Sequence, residues 1–176
     1  MKSIEAINYL VESYKVRDMD SIDDFMNYIS DDKMAQMIGI GATVPDAYEW
    51  FTGKEAIKEI ILSDWANWGN VHFDMSTLRL TERTDSAWFT LCATLEQVEM
   101  SEETWEFFLS MMKEMLDKKE QKAADRMFEA AHFGMRRVRE KNLGEGYPFQ
   151  MVVTGHMILE DNMWKFHTLH WSMPVE

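Results

Sequence analysis

The sequence lacks several features on which whole classes of function depend. It contains one cysteine, Cys92, so an internal disulfide is excluded and nothing indicates an oxidising compartment. No run approaches the roughly 18 apolar residues that a membrane-spanning helix needs. A glycine-rich phosphate loop and a G-x-S-x-G nucleophile elbow are both missing. The sequence therefore gives no support to a nucleotide-binding enzyme, a serine hydrolase or a helical membrane protein.

Positive charge is also scarce. The chain has 18 Lys and Arg against 31 Asp and Glu, which gives a formal net charge of -13. Nucleic acid requires a basic face that neutralises phosphates, and anionic membranes attract basic segments, so we expect neither partner. Residues 1–15 include Glu5 and Glu12 and no unbroken apolar core, so a signal peptide is not expected. We expect a cytoplasmic protein.

What the chain does have is a globular composition, with 46% hydrophobic residues in 176. This length suits one domain over residues 1–176 with a substantial core. Apolar residues at helical spacing predict helices beginning at Ser3 and Ile22, and residues 34–44 have the character of a strand. Thr52 and Glu55 match the capping-box spacing, which predicts a helix that begins there and ends at Gly69.

The second half of the chain alternates like a sheet. Residues 71–81 and 87–98 predict one antiparallel pair, and residues 149–159 and 163–173 predict another. Between the pairs, residues 101–142 have a helical period and form either one long helix or a helical hairpin. This order of elements indicates an α+β fold with a helical insertion before the last two strands.

Three stretches of the chain resemble a known family. "FTGKEAIKEII" (51–61), "DSAWFTLCATLE" (85–96) and "WKFHTLHWSMP" (164–174) are similar to segments of the SnoaL-like branch of the nuclear transport factor 2-like superfamily. The resemblance implies a cone-shaped curved antiparallel sheet wrapped on N-terminal helices, an internal pocket, and frequent homodimers through the outer sheet face. Members include cyclases, isomerases, dehydratases and non-catalytic modules, so the resemblance alone does not choose a function. The insertion at 101–142 departs from the family pattern.

The histidines of the last strand offer little as metal ligands. His167 and His170 are three residues apart, and an odd separation on a regular strand sends side chains to opposite faces. His72 and Asp74 share a face, but two ligands are too few for a site. We therefore predict no metal and no cofactor.

Acid–base catalysis is the enzymatic option that the sequence offers. His170 shares a predicted face with Trp164 and Phe166, and its imidazole can transfer a proton at neutral pH. Ser172, two residues further on, could orient the substrate or the ring. The alternative is a buried histidine that only fixes the end of the strand.

Aromatic side chains from several predicted elements would meet inside a cone. Large rings with polar tips suit a pocket for a small hydrophobic or aromatic molecule, and they suit a solid core equally well. The residues predicted to line the pocket are Tyr14, Trp50, Trp65, Phe89, Trp164, His170 and Ser172.

Three functional hypotheses follow. The first is a homodimeric module that binds a small molecule, and the second is a cofactor-independent cyclase, isomerase or dehydratase that uses His170. The third is an assembly module built by the insertion.

Overall fold

The computed structural model of the chain describes residues 2–47, 49–96, 102–140 and 148–173. Within these residues the chain is α+β and contributes six strands to one sheet. The elements in chain order are α1 (Ser3–Val16), a 3-10 helix (Met19–Ser21), α2 (Ile22–Met26), β1 (Gln36–Ile38), β2 (Trp50–Thr52), α3 (Lys54–Asn67), β3 (Asn70–Glu82), β4 (Ser86–Glu96), α4 (Glu102–Leu116), α5 (Ala123–Glu140), β5 (Pro148–Glu160) and β6 (Met163–Ser172).

These elements divide into two compact units. The first unit comprises residues 1–95 and 149–174, and it contains the sheet with α1, α2 and α3. The second unit, residues 96–148, contains α4 and α5. The helical insertion predicted from the sequence is therefore a compact unit of its own.

The sheet has the strand order β2-β1-β6-β5-β4-β3. Strand β1 is antiparallel to β2 and parallel to β6, while β5 and β6 form the predicted antiparallel pair. The turn between β5 and β6 places Asp161 and Asn162 at φ 49° and 64°. Two consecutive positive φ angles are typical of the tight hairpin turn whose twist matches the flanking strands.

One face of the sheet packs against α1 and α3, and we call it the helix-covered face; the other is the open face. On β4 the helix-covered face carries five side chains that are at most 2% exposed. They are Ala87, Phe89, Leu91, Ala93 and Leu95. The opposite side of the same strand carries Trp88, which is 46% exposed, so the predicted alternation of β4 is confirmed.

A β-bulge at His167 interrupts the alternation of β6. His156 pairs with Thr168 while the next residue, Met157, pairs with Phe166, so His167 is the extra residue on β6. An extra residue reverses the face of every side chain beyond it. Phe166 therefore shares the helix-covered face with Leu169 and Trp171, each 1% exposed, and not with His170.

The segment between α2 and α3 differs from the sequence prediction. The strand predicted over residues 34–44 is only Gln36–Ile38, and the unpredicted β2 pairs beside it. The chain turns at Gly39, whose N–H donates to the carbonyl oxygen of Glu49 at 2.6 Å. A Cβ at Gly39 would lie 2.6 Å from the Glu49 carboxylate, so only glycine fits this close approach.

The predicted capping box before α3 is wrong. Thr52 lies in β2, and α3 begins at Lys54 after Gly53, which adopts φ 87° and makes no side-chain cap bond. The chain needs a positive φ to turn directly from strand into helix, and this conformation is readily available only to glycine.

Within the second unit, α4 and α5 are two helices packed against each other, which decides between the two predicted forms of the insertion. The rings of Phe108 and Phe133 stack with centroids 6.0 Å apart. Gly134 on α5 admits Met112, whose sulfur would lie 3.4 Å from a Cβ at that position. Large apolar side chains remain exposed on these helices, notably Phe107 (67%) and Phe128 (72%).

Candidate functional site

The seven residues predicted to line a pocket divide between the two faces of the sheet. Four lie on the helix-covered side and are 1–5% exposed: Tyr14, Trp65, Phe89 and Trp164. The other three, Trp50, His170 and Ser172, lie on the open face by strand register. The predicted pocket is therefore not one site.

The bulge explains the placement of His170 and Ser172. His170 pairs with Thr154, and its neighbours Leu169 and Trp171 are buried on the helix-covered face, so His170 points the other way. Ser172 donates a hydrogen bond to the carbonyl oxygen of Val152 at 3.2 Å. The prediction that His170 and Ser172 share a face with Trp164 is wrong, because a regular strand was assumed.

Trp50 is held on the open face by a hydrogen-bonded chain. Its indole N–H donates to Gln36 Oε1 at 2.9 Å, and the Gln36 amide donates to Thr168 Oγ1 at 3.3 Å. Thr168 Oγ1 also lies 3.1 Å from Nδ1 of His167. These hydrogen bonds link β2, β1 and β6, and they satisfy the indole N–H of Trp50.

His167 and His156 lie together on the open face, with ring centroids 5.9 Å apart. His167 and His170 were predicted to lie on opposite faces of a regular strand, but β6 is not regular between them because His167 is the extra residue of the bulge. Among the residues that the structure describes, no three His, Cys, Asp or Glu side chains are arranged to hold a metal ion.

The helix-covered face is solid at one end. Phe89 packs directly on Gly155, where an added Cβ would lie 2.2 Å from Cε1 of the ring. The Phe89 ring also contacts Phe166, with centroids 6.1 Å apart. At these residues the face is closely packed hydrophobic core.

The other end of the face is built around Tyr14, at the end of α1. Its ring lies 5.2 Å from Trp171, 6.0 Å from Phe73 and 6.1 Å from Trp65, measured between centroids. Trp68 continues the cluster by an edge-on contact with Trp171 at 5.5 Å. Strands β3 and β6 and helices α1 and α3 thus each contribute a ring.

A carboxyl group stands within this aromatic cluster. The Tyr14 hydroxyl donates to Oδ2 of Asp64 on α3 at 3.3 Å. Burial raises the pKa of Asp64 from 3.8 to about 8, the Tyr14 hydrogen bond opposes the rise, and the charge of Glu49 adds to it. Asp64 therefore holds its proton at neutral pH, and its carboxyl group can donate a hydrogen bond.

The cluster has a buried floor and a partly exposed rim. Tyr14 and Trp171 are 2% and 1% exposed, whereas Asp64, Trp68 and Phe73 are each only partly buried. The indole N–H of Trp171 is buried and makes no hydrogen bond within the described part of the chain. An unsatisfied buried donor is costly, and this one belongs to a ring that packs against Tyr14, the hydrogen-bond partner of Asp64. We call Tyr14, Asp64 and Trp171 the polar cluster.

Sequence reasoning found Tyr14 and missed Asp64. The acid–base candidates predicted from the sequence, His170 and Ser172, are on the last strand, whereas Asp64 is on a helix. The signal was present, because Asp64 falls in the apolar stripe of α3 with Ile57, Ile61 and Trp68 at helical spacing. A single acid within such a stripe predicts a carboxyl group facing the core.

Comparison with known proteins defines the class. The model of the SnoaL-like domain family matches residues 5–119, well over half of the chain. The chain belongs to the SnoaL-like domain family. No curated protein matches it.

Solved structures show the same fold at low sequence identity. A proposed dehydratase of the nuclear transport factor 2-like family from Streptomyces avermitilis matches with TM-score 0.60 and 10% identity, covering 99% of this chain and 97% of that one. A proposed ketosteroid isomerase from Shewanella frigidimarina gives 0.55 and 11%, covering 97% and 94%. A proposed calcium/calmodulin-dependent protein kinase type II association domain from Thiobacillus denitrificans gives 0.56 and 12%, covering 96% and 92%. These likenesses confirm the α+β fold of a curved sheet packed on helices.

No helix in the described part of the chain is long and apolar enough to cross a membrane.

Proposed function

We propose that this SnoaL-like domain binds a small hydrophobic or aromatic molecule at the polar cluster. The ligand packs against the exposed edges of Trp68 and Phe73, and it presents an acceptor oxygen to the polar cluster. The observation that carries the proposal is Asp64, a carboxyl group placed among aromatic rings where burial raises its pKa to about 8. Strongly perturbed groups in apolar surroundings are concentrated at functional sites.

The two hydrogen-bond donors of the polar cluster favour a ligand that carries an acceptor oxygen. A protonated Asp64 offers an O–H, and Trp171 offers an N–H that has no partner among the described residues. A carbonyl or hydroxyl oxygen would satisfy both donors while the ring faces bury the apolar part of the molecule. A core that needed only stability would hold an apolar residue at position 64.

Ligand retention tests the proposal. The protein is purified from its host and analysed by native mass spectrometry, and we expect a bound small molecule. Trp171→Phe keeps a ring but removes the N–H, so it should weaken binding by about tenfold, as the loss of one buried hydrogen bond predicts, and lower the loaded fraction. Trp88→Phe, on the open face, is the matched control. A protein that carries no ligand, or equal loading of both variants, would contradict the proposal.

A second candidate is cofactor-independent proton transfer by Asp64, of the isomerase, cyclase or dehydratase type. It is favoured by the pKa of about 8, since a general acid or base acts best near the working pH. The names of the Streptomyces and Shewanella structures point the same way. Turnover of enolisable ketones should inflect near pH 8 and disappear in Asp64→Asn, whereas exposed Asp20→Asn should retain it. Binding without turnover would leave only the first function.

We propose that the chain forms a homodimer through the open face and acts in the cytoplasm. Trp88 and Val152 expose apolar surface there, at 46% and 36%. Light scattering should give twice the chain mass, and Trp88→Glu should lower it. If Phe107→Glu in α4 lowers the mass while Trp88→Glu does not, the insertion builds the assembly instead.

A further inference from the structure

A groove lies on the exposed side of α1. It is an open groove of about 180 Å³ between α1, the 3-10 helix and α3. Its walls are formed by Tyr9, Glu12, Ser13, Val16, Asp18 and Ser21, and Trp65 also lines it. A cavity of about 150 Å³ can hold a molecule of benzene's size, so this groove has room for a small organic molecule.

The groove has a regular origin in the sequence. Tyr9, Ser13 and Val16 recur at helical spacing, so they form one stripe of α1 beside its buried face. The helix ends at Arg17, which adopts the left-handed conformation at φ 52° and lets the chain fold back. Asp18 and Ser21 then form the opposite wall, and the Ser21 hydroxyl is fixed by donating to the Asp18 carbonyl oxygen at 3.0 Å.

The charge of the walls is of one sign. Glu12 and Asp18 contribute carboxylates, and the lining contains no lysine or arginine. Lys15 approaches Glu12 at 3.3 Å, but both side chains are exposed, at 71% and 59%. An exposed ion pair of this kind contributes little to stability, so a bound cation can replace Lys15 beside Glu12.

Two aromatic side chains complete the site. Tyr9 stacks on Tyr28 with centroids 4.3 Å apart, which fixes the orientation of its ring. Trp65 is 5% exposed, and its indole N–H has no hydrogen-bond partner among the described residues. Tyrosine and tryptophan rings attract organic cations.

From this combination we propose that the groove binds a small alkylammonium compound. The ammonium group lies between the carboxylates of Glu12 and Asp18 and against the Tyr9 ring. This site does not depend on the one at Asp64, since Asp64 is not part of the groove lining.

The test compares choline with its uncharged isostere, 3,3-dimethylbutan-1-ol, in titrations followed by the indole N–H signals of the full chain. Choline should shift the Trp65 signal saturably and bind about tenfold more tightly than the alcohol at low salt. The double change Glu12→Gln with Asp18→Asn should remove that preference. The double change Glu55→Gln with Glu59→Gln, on the exposed side of α3, removes the same two charges and should keep the preference.

Three results would overturn the proposal. Equal binding of the two probes would show that charge is not recognised. The absence of a saturable shift with either probe would show that the groove is not a site. A choline effect confined to indole signals other than that of Trp65, which Trp65→Phe identifies, would place the cation elsewhere. A failure here leaves ligand retention at Trp171 unaffected, so the two proposals are tested separately.

Discussion

Replacement of Asp64 by Asn should make the protein more stable at neutral and alkaline pH. In the folded chain Asp64 has a pKa of about 8, against an ordinary value of 3.8. A raised carboxyl pKa means that the folded state holds a proton which the unfolded state releases. Stability from this group is therefore greatest at low pH and falls as the pH rises from about 4 to about 8.

The magnitude follows from the shift. Each pH unit in that window lowers the free energy of unfolding by about 1.4 kcal/mol, so between pH 5 and pH 8 the loss is about 4 kcal/mol. Asparagine is similar in shape, stays uncharged and still accepts from Tyr14, so the variant should not show this loss. The pKa values of Asp31, Glu82 and Glu160 are lowered and those of Tyr9 and Tyr14 are raised, so these shifts move the five groups away from the range between pH 5 and pH 8.

Urea unfolding at pH 5 and pH 8 measures the effect as a difference between wild type and Asp64→Asn. We expect the variant to gain several kcal/mol relative to wild type as the pH is raised. Asp20→Asn, an exposed change of the same chemistry, should show no such gain. The reasoning would be refuted if the difference in free energy of unfolding between wild type and Asp64→Asn were the same at both pH values. Asp64 would then be ionised in the folded and the unfolded state alike.

Three further predictions concern stability. Gly155→Ala should lower the free energy of unfolding by about 1–3 kcal/mol, because its Cβ would lie 2.2 Å from the Phe89 ring. Gly134→Ala, the control, should change the free energy of unfolding by less than about 1 kcal/mol. Equal effects of the two substitutions would contradict the close packing of Phe89 on Gly155. Lys165→Met should lower the free energy of unfolding by about 1–2 kcal/mol, because the buried ammonium contacts Asp31 and lies 3.1 Å from Glu160, and exposed Lys33→Met is the control. The hydrogen bond from Lys165 lowers the pKa of Asp31 to about 2, so the stability from this contact is present above pH 3.8 and is lost as the pH falls through about 2. The difference between wild type and Lys165→Met should shrink over that range in acid unfolding, and a constant difference would refute the ion pair.

The long elements of the fold could be predicted from the sequence because their patterns are local. The alternation of β4, the pair of β5 and β6 and the helical period of α1 and α3 each follow from neighbouring residues. The segment from residue 36 to 53 could not be predicted in the same way. Its strands are three residues long, and they exist because β1 pairs with β6, far along the chain.

Half of the candidate site was accessible from the sequence for the same reason. Tyr14 and Trp65 were found because they fall in the apolar stripes of their helices, and so does Asp64, which was overlooked. His170 was assigned to the wrong face because its side chain was placed as if the side chains of β6 alternated between the two faces without a bulge at position 167. A bulge is set by the register between two strands, and β6 alone does not reveal that His156 and Met157 pair with residues two apart.

This one extra residue changes the chemistry to be expected from the domain. With a regular β6, His170 would lie beside the tryptophans, and the pH dependence of ligand binding would be that of an imidazole. With the bulge, Trp171 takes that place on the helix-covered face and meets Tyr14, so the ionisable group at the aromatic cluster is Asp64. The two arrangements give different pH dependence. A site at Asp64 changes its ligand affinity near pH 8, and His170→Asn leaves that profile intact; a profile that His170→Asn abolishes would return the site to the open face.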